Sequence, residues 1–303
     1  MLSSDDLTFF LVLASARSLA DAARKLDVTP SAVTQRLSSL EKRLGIGLID
    51  RSGRRMALTD EGELLAERAR TICGDLNGLA EALAERRGKV AGHLRVVAPL
   101  GFGQRHVAPV ITQFRRHCPD VTATLLLTDR PSSLAAHTWD VMIHIGELRD
   151  SSLVLHKLAR NARVLCASPA YLKRRGIPRH PDELREHDCI ALRENDEDVT
   201  LWRFRHGNRK AAAVRVEPVL ASNDGGVALQ WALAGMGVLV RSQWDVADLL
   251  RQGRLVSLLP QWRLPDADVV ALVASRTERS ARTQQFLRQL REMGEKAPWL
   301  AES

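Results

Sequence analysis

Residues 18–59 read SLADAARKLDVTPSAVTQRLSSLEKRLGIGLIDRSGRRMALT, and this stretch decides the fold of the first part of the chain. An amphipathic pattern over residues 7–14 precedes it and predicts a first helix. Ser18 can cap a second helix, in which Ala22 and Ala23 leave room for another helix to cross closely. The pattern predicts a small helical module.

A third helix is predicted to begin after Thr29, a capping residue, at Pro30, which suits the first helical position. It runs to about Leu44. One face is apolar at spacings of four, three and four residues, with Val33, Leu37, Leu40 and Leu44. The opposite face is small, polar and uncharged, and consists of Ser31, Thr34, Gln35 and Ser38.

This polar face suits contact with the bases of DNA. Short side chains can approach base edges in the major groove, and a glutamine can make a bidentate contact to adenine. Residues 45–59 predict a hairpin, or wing, with Arg51, Arg54 and Arg55 near its tip. Cations there can hold phosphates while the helix contacts the bases.

Charge is unevenly distributed along the chain, whose formal net charge is +8. Residues 24–55 contain eight basic and three acidic side chains, whereas residues 60–85 contain two basic and seven acidic ones. A basic module followed by an acidic helix favours an anionic partner for the module. The alternative is a purely structural three-helix bundle, which the capped third helix, its polar face and the cationic hairpin together disfavour.

A long helix is predicted over residues 60–88. Thr59 can cap it, and Asp60 and Glu61 suit the positive end of the helix dipole. Its apolar positions alternate spacings of four and three, as in a two-helix coiled coil, at Leu65, Ala69, Ile72, Leu76, Leu79 and Leu83. We expect this seam to form a parallel or antiparallel dimer. The alternative is a helix packed against the C-terminal part of its own chain.

From His93 onward, short apolar runs alternate with helical patterns, which indicates α/β units around a mainly parallel sheet. The predicted helices in this part include residues 104–117, 224–234 and 244–251. A last strand and a last helix follow Pro265. Prolines predict a loop-rich middle, at Pro169, Pro178 and Pro181.

Residues 9–62 resemble the N-terminal winged helix-turn-helix of LysR-type transcriptional regulators. The similarity lies in three features of the sequence: the pair Ala22–Ala23, S-x-L-E-x-x-L-G from Ser38 to Gly45, and R-x-x-R-x-x-x-L-T-x-x-G from Arg51 to Gly62. Leu19 and Ile49 stand where the family usually has Phe. Both are apolar exchanges that affect packing and not function. The resemblance is strong to about residue 90 and looser beyond.

The resemblance implies an α+β multidomain fold. It implies a winged helix-turn-helix DNA-binding domain at residues 1–59, a linker and dimerisation helix at 60–88 and a hinge at 89–92. A two-lobed α/β effector domain, like that of periplasmic binding proteins, would follow, with one lobe of residues 93–162 and 265–303 and the other of residues 163–264. The implied partners are double-stranded DNA at an interrupted inverted repeat in a promoter, a second copy in a homodimer or further copies in a tetramer, and RNA polymerase as a further candidate.

By the same resemblance, a small-molecule effector binds between the lobes. The matching positions here are Leu100, Gly101, Phe102, Gly103, Gln104, Thr128, His144, Gly146, Ser168, Asn223 and Asp224. A helix that starts within residues 99–104 offers free N–H groups to an anion. The part from His93 onward holds 30 basic and 23 acidic residues, so we expect an anionic effector, a carboxylate. For the glycines a simple turn, and for His144 a buried core imidazole, are the alternatives.

Other classes of protein are disfavoured. No G-x-S-x-G, H-E-x-x-H or P-loop motif occurs, and GFGQRH lacks the third glycine of a dinucleotide fingerprint, so we expect neither an enzyme nor a cofactor. Four cysteines lack metal-ligand spacing, so no metal is expected and a redox-sensing regulator is a minor alternative: Cys73, Cys118, Cys166 and Cys189. A solute-binding protein of the same two-lobed fold is another alternative. The sequence shows no secretory signal and no apolar run of membrane-spanning length, and we expect a cytoplasmic protein.

Overall fold

The structure, a computed structural model, divides into two compact units, Met1–Arg86 and Arg87–Ser303. It describes residues 2–50, 56–85, 90–130, 134, 138–146, 153–193, 199–207, 210–273, 280–297 and 299–300. Among the helices in these ranges, none has both the length and the apolar character that a bilayer crossing requires.

The first unit begins with α1 (Ser4–Ala14), α2 (Leu19–Leu26) and α3 (Pro30–Leu44). Helix α3 starts where the sequence predicts, because the Thr29 hydroxyl accepts a hydrogen bond from the Ala32 N–H at 3.3 Å. Gly45 ends it at a φ of 72°, a left-handed conformation that suits glycine. The three helices share one core, which includes Phe9, Leu13, Ala22, Ala23, Val33 and Leu37.

A two-stranded hairpin follows α3. Strand β1 (Ile49–Asp50) pairs antiparallel with β2 (Ala57–Leu58), in agreement with the predicted wing. The predicted phosphate-binding residues at its tip, Arg51, Arg54 and Arg55, lie outside the described residues.

Helix α4 (Asp60–Glu85) follows the wing directly. The Thr59 hydroxyl accepts a hydrogen bond from the Gly62 N–H at 3.0 Å, as the predicted cap requires. Only glycine fits at position 62, because a Cβ there would lie 2.1 Å from the Leu48 carbonyl oxygen. The predicted end of this helix, at residue 88, falls among residues 86–89, which are not described.

The predicted seam of α4 divides into two parts. Ala69 is completely buried inside the first unit, and Leu65 packs against the cluster of Phe10, Leu40 and Leu48. The expectation that Ala69 contacts a partner helix was therefore wrong, because its own chain already covers it. The remaining seam residues are exposed: Ile72, Leu76, Leu79 and Leu83.

The second unit contains two five-stranded sheets, and we call the parts built on them lobe 1 and lobe 2. In lobe 1 the spatial order is β4 (Val121–Leu127), β3 (Gly92–Ala98), β5 (Val141–Ile145), β14 (Val269–Val273) and β6 (Val154–Ala159). In lobe 2 it is β11 (Pro218–Ser222), β8 (Cys189–Leu192), β12 (Val238–Ser242), β7 (Arg163–Ala167) and β13 (Val256–Ser257).

Each sheet is mixed: four of its five strands run in one direction, in agreement with the predicted mainly parallel sheet, and one strand, β14 in lobe 1 and β7 in lobe 2, runs the opposite way. In lobe 1, β3 is parallel to β4 and β5, whereas β14 is antiparallel to β5 and β6. In lobe 2, β8 is parallel to β11 and β12, whereas β7 is antiparallel to β12. The reason is the crossing of the chain between lobes. Strands β7 and β14 follow these crossings and begin at the edge where the parallel strands of their sheet end.

The helix after β3 starts earlier than the predicted residue 104. Helix α5 (Leu100–Phe102) continues through a π-helical turn (Gly103–Val107) into α6 (Ala108–His117). The Gly103 N–H donates to the Pro99 carbonyl oxygen at 2.8 Å, so helical bonding begins directly after the proline. Helices α8 (Gly225–Leu233) and α9 (Gln243–Arg251) lie close to their predicted ranges, and α10 (Ala281–Glu295) is the last helix predicted after Pro265.

The middle of the second unit contains more regular structure than the loop-rich segment that was predicted. It includes α7 (Pro169–Arg175), a 3₁₀ turn (Pro181–Glu186) and a hairpin of β9 (Leu201–His206) and β10 (Lys210–Arg215). Pro169 and Pro181 do not break these helical elements. Both occupy a first turn, where the missing N–H would have no helical partner.

Candidate functional site

The outer face of α3 is solvent-facing, as predicted. Ser31, Gln35 and Ser38 are exposed, and Thr34 is half-buried. The Thr34 hydroxyl donates to the Pro30 carbonyl oxygen at 2.9 Å, and the Ser31 hydroxyl lies 3.0 Å from that of Thr29. No hydrogen bond within the described part of the chain engages the Gln35 or Ser38 side chain, so both are available for an external partner.

Two arginines fix the orientation of α3 against α1. The Arg36 guanidinium donates to the Asp5 carbonyl oxygen at 3.1 Å and lies 4.5 Å from the centre of the Phe9 ring. Arg43 forms a 2.7 Å ion pair with Asp6. Burial opposes ionisation of Asp6, but hydrogen bonds from Arg43 and Ser3 hold the pKa of this carboxyl below its ordinary value. Part of the basic charge that the sequence groups here therefore serves packing.

The two lobes meet at the carboxyl ends of their parallel strands, and we call the region between these ends the cleft. On the lobe 1 side these ends lead to Leu100, Thr128 and Gly146, and on the lobe 2 side to Asn223. The Asn223 amide donates to the Asp129 carboxylate at 2.8 Å, which joins the two lobes directly. The structure thus brings these predicted effector positions to one edge. It also adds Asp129, which the sequence analysis missed although it directly follows Thr128.

The start of α5 lies at this edge without a side-chain cap. Pro99, its capping residue, has no side-chain acceptor, so no side chain caps the first N–H groups. The start of α8 is different, because the Asp224 carboxylate accepts hydrogen bonds from the Gly226 and Val227 N–H groups at 2.7 and 3.1 Å. Asp224, one of the predicted effector residues, is therefore occupied as a helix cap.

Arg193 is a second feature that the sequence analysis missed. It follows β8, and its N–H donates to the Ser222 carbonyl oxygen at 2.8 Å, which fixes it beside Asn223. Its side chain is exposed. The signal that could have revealed it is its place directly after a buried strand, where α/β proteins collect their ligand-binding residues.

Four predicted effector residues do not line the cleft. Phe102 is completely buried among core side chains of lobe 1. A Cβ on Gly103 would lie 2.2 Å from the Leu127 side chain, so this glycine serves close packing. His144 lies inside β5 and is 6% exposed, which supports the alternative of a core imidazole. Gln104 is exposed and borders a surface groove along α6.

Ser168 was also placed wrongly in the cleft. Strand β7 pairs with β12 so that Arg163 lies opposite Ser242 at the cleft edge, and Cys166 lies opposite Leu239. Ser168 follows the other end of β7, about 16 Å from that edge at the usual rise of a strand. It is 3% exposed and lies beside Gly235, at the outer end of lobe 2.

Beneath the cleft, one carboxylate links the two lobes through two arginines. Asp245, at the start of α9, accepts from Arg241 Nε and Nη2 at 2.8 and 2.7 Å, and both side chains are 5% exposed. Arg105, in the π-helical turn of lobe 1, forms an ion pair with the other carboxylate oxygen at 3.0 Å and donates a hydrogen bond to the Asp245 backbone carbonyl oxygen at 3.4 Å. We call these three residues the Asp245 cluster. A Cβ on Gly225 would lie 1.9 Å from Arg241 Nη2, so only glycine leaves room for the guanidinium.

Aromatic rings surround this cluster. Trp244 packs edge-on against Phe102 at 5.3 Å between ring centres, and it is part of the core of lobe 1 although it belongs to α9. His106 lies 4.8 Å from Phe102 and 5.6 Å from Trp244. Burial, with a further contribution from the nearby Arg105 charge, lowers the pKa of His106 to about 4. His106 is therefore neutral at pH 7.

The buried cysteines do not have the exposure of redox sensors. Cys118, Cys166 and Cys189 are buried thiols, and Cys73 is half-buried. Burial raises the pKa of both Cys166 and Cys189 to about 12, so neither forms the thiolate that reacts with oxidants. Among the described residues, no group of His, Cys, Asp and Glu side chains is arranged to hold a metal ion.

A winged helix-turn-helix with an exposed polar helix, followed by two lobes that meet at a cleft, defines a ligand-controlled DNA-binding regulator. Two family models match in this order along the chain. The model of the bacterial regulatory helix-turn-helix protein of the lysR family matches residues 4–63, and that of the LysR substrate binding domain matches residues 87–295. The chain belongs to the LysR family of transcriptional regulators.

Individual relatives support this family assignment. The HTH-type transcriptional regulator DmlR of Escherichia coli K12 is 34% identical over 288 residues, which are 94% of this chain and 93% of that protein. The HTH-type transcriptional activator TtdR of the same strain is 35% identical over 257 residues, 85% of this chain and 83% of the relative. The structure of CrgA, a LysR-type regulator from Neisseria meningitidis, has the same fold, with a TM-score of 0.61 at 24% identity, covering 97% of this chain and 100% of CrgA.

Proposed function

We propose that the chain binds an interrupted inverted repeat in promoter DNA through α3 and the wing. Ser31, Thr34, Gln35 and Ser38 would face the bases, and the wing arginines Arg51, Arg54 and Arg55 would contact the phosphates. The observation that carries this proposal is the asymmetry of α3. Its inner side is fixed to α1 by Arg36 and Arg43, whereas Gln35 and Ser38 on its outer side are exposed.

The inverted repeat requires two copies of the DNA-binding module. The exposed part of the α4 seam, from Ile72 to Leu83, offers apolar side chains that a partner helix would cover. We propose that two chains pair along this seam, and that pairs of dimers form the tetramer. A two-fold protein then presents two copies of α3 to two half-sites.

We further propose that a small carboxylate binds in the cleft and controls DNA binding. The support is the uncapped start of α5 on one side and the exposed Arg193 on the other, both of which favour negative charge. The residues proposed to line this site are Leu100, Gly101, Thr128, Asp129, Gly146, Arg193 and Asn223. The Asp129 carboxylate would accept hydrogen bonds from polar groups of the same ligand, and the Asn223 amide would donate one to it.

In this proposal the protein regulates transcription in the cytoplasm and does not catalyse a reaction. We include RNA polymerase as a further candidate partner, with activation and repression both open. The regulation of transcription is supported by the relatives, which are a transcriptional regulator and a transcriptional activator.

The proposal is tested by selecting genomic DNA fragments with the purified full-length chain and footprinting the enriched fragments. Two protected half-sites on one face of the duplex are expected. Titration with simple dicarboxylates, such as succinate, then tests whether the footprint changes. Failure to enrich any fragment over random competitor DNA would contradict the proposed DNA contacts of α3.

A further inference from the structure

The hairpin of β9 and β10 in lobe 2 carries arginines on its outer side. Arg203 and Arg205 are exposed and lie opposite Ala213 and Ala211 on the neighbouring strand. The residues between them, Trp202 and Phe204, are buried in the core of lobe 2. Because successive side chains of a strand point to opposite sides, both arginines lie on one flat face whose reverse is anchored in the core.

Arg263 extends this face on the other side of β9. Its backbone forms a reciprocal pair of hydrogen bonds with Arg205, at 2.8 Å from the Arg205 N–H and 2.7 Å from the Arg263 N–H. Arg263 is exposed as well. Directly opposed side chains of antiparallel strands are separated by about 5 Å at Cβ, and like charges in such a pair destabilise a sheet. We call Arg203, Arg205 and Arg263 the arginine face.

The arginine face has no internal carboxylate partner in the part of the chain that the structure describes. None of its three side chains takes part in a hydrogen bond or an ion pair there. The sequence between 201 and 215 contains five Arg and Lys residues and no Asp or Glu. The acidic residues nearest in sequence to this hairpin are Glu217, beyond the end of β10, and those at 194–198, which are not described; Asp266 lies three residues after Arg263, and no ion pair joins the two in the described part of the chain. Among the described residues, the positive charge of the arginine face is thus unbalanced, on strands whose reverse side is buried in the core of lobe 2.

We propose that the arginine face binds the phosphate backbone of duplex DNA, as a second DNA contact in addition to α3 and the wing. The inference rests on the DNA binding of the family. Arginine suits phosphate because its planar guanidinium donates two parallel hydrogen bonds. An acidic protein surface is the other conceivable partner, but stable protein interfaces centre on buried aromatic or aliphatic anchors. Between these arginines the face offers only Ala211 and Ala213.

Such a contact is independent of DNA sequence. It adds affinity through release of counterions, and each phosphate neutralised adds about 0.9 to the magnitude of the negative slope of log K against log salt. Three contacts therefore add roughly 2.7 to that slope. The preference for a base sequence depends on the contacts of α3.

The test compares the full-length chain with a variant that carries Arg203→Gln, Arg205→Gln and Arg263→Gln. The probe is a fluorescent random-sequence duplex of 60 base pairs, titrated at 50 and 200 mM salt. The wild-type advantage over this variant should shrink by roughly 40-fold between the two salt concentrations, which is the expected effect of three phosphate contacts. A variant with lysine at the same three positions keeps the charge and should retain most of the slope.

A matched control removes the same charge elsewhere, with Arg116→Gln, Arg179→Gln and Arg288→Gln, three exposed arginines. Its slope should equal that of the wild type. Equal slopes for both glutamine variants would overturn the proposal, even if the wild type binds DNA. Unchanged DNA binding with loss of promoter activation by purified RNA polymerase would also overturn it and assign the face to a protein partner. Circular dichroism spectra and melting curves show whether each variant is folded.

Discussion

Arg105 in lobe 1 forms a 3.0 Å ion pair with Asp245 in lobe 2, whose carboxylate also binds the buried Arg241. The two arginines differ in environment. The Arg241 side chain is 5% exposed, whereas that of Arg105 is 52% exposed. Loss of the carboxylate would leave Arg241 without a counter-charge in the interior, whereas loss of Arg105 would leave the inner pair intact. The Asp245 cluster therefore joins the lobes through its outer half and stabilises lobe 2 through its inner half.

Replacement of Asp245 by Asn should therefore destabilise the second unit far more than Arg105→Gln does. We expect about 3 kcal/mol or more for Asp245→Asn, because it leaves a buried guanidinium unpaired. Arg105→Gln should cost about 1 kcal/mol, since its side chain is half in solvent and screened. The measurement is urea unfolding followed by tryptophan fluorescence, to which Trp244 contributes directly.

Arg251→Gln, which removes an exposed ion pair with Asp248, is the control and should change the free energy of unfolding by less than about 0.5 kcal/mol. Equal losses for Asp245→Asn and Arg105→Gln would contradict this division of roles.

Features that depend on a few neighbouring residues were predictable from the sequence. The start of α3 at Thr29 and Pro30, the wing and the start of α4 at Thr59 are all confirmed, because capping hydroxyls, prolines and glycines act within one turn. The polar outer face of α3 followed from the same local periodicity. The family resemblance, which is confirmed, rested on these local motifs.

Features that depend on strand direction were not predictable. Ser168 follows an apolar strand, as Thr128 does, but β7 runs opposite to β12 and so ends at the far side of the sheet. No local property of residues 163–168 records that direction. The Asp245 cluster was missed for a related reason. Arg241 and Asp245 are four residues apart, whereas Arg105 joins them from the other lobe, across 140 residues of sequence.

Gln35→Ala and Arg54→Ala should affect DNA binding in different ways. Gln35 is exposed on α3, so its loss should cost about 1–3 kcal/mol on the selected operator and relax the preference at one base pair. Arg54→Ala should weaken all sequences to a similar extent and lower the salt slope by about 1, as expected for one phosphate contact. Competition titrations with single-base operator variants at two salt concentrations separate the two effects. The same sequence dependence in both variants would contradict the assignment of Gln35 to a base.

Leu76→Asp should break the dimer. Leu76 is 47% exposed within the seam of α4, and a carboxylate there would be buried unpaired against a partner helix. Sedimentation velocity of the full-length protein at low micromolar concentration should show a shift towards monomer. Leu64→Asp is a close control, because Leu64 is 56% exposed on the same helix but lies off the seam. A Leu76→Asp protein that still sediments as a dimer would place the main dimer contact elsewhere.

His106 should make the second unit sensitive to acid. Its pKa is about 4 in the folded protein and about 6.5 when unfolded, so between these values the unfolded chain binds more protons. The contribution of neutral His106 to stability is thus complete above about pH 6.5 and decreases as the pH falls towards 4. Linkage gives a loss of about 2 kcal/mol in the free energy of unfolding at pH 5, relative to neutral pH. Partial exposure of the ring reduces this loss to roughly 1–2 kcal/mol.

His106→Phe keeps an aromatic ring beside Phe102 and Trp244 but cannot be protonated, so its melting temperature should fall less between pH 7 and pH 5 than that of the wild type. His117→Phe removes an exposed imidazole from α6 and should follow the wild-type decrease. If all three proteins lose the same stability over this range, His106 is not the group responsible for the acid sensitivity.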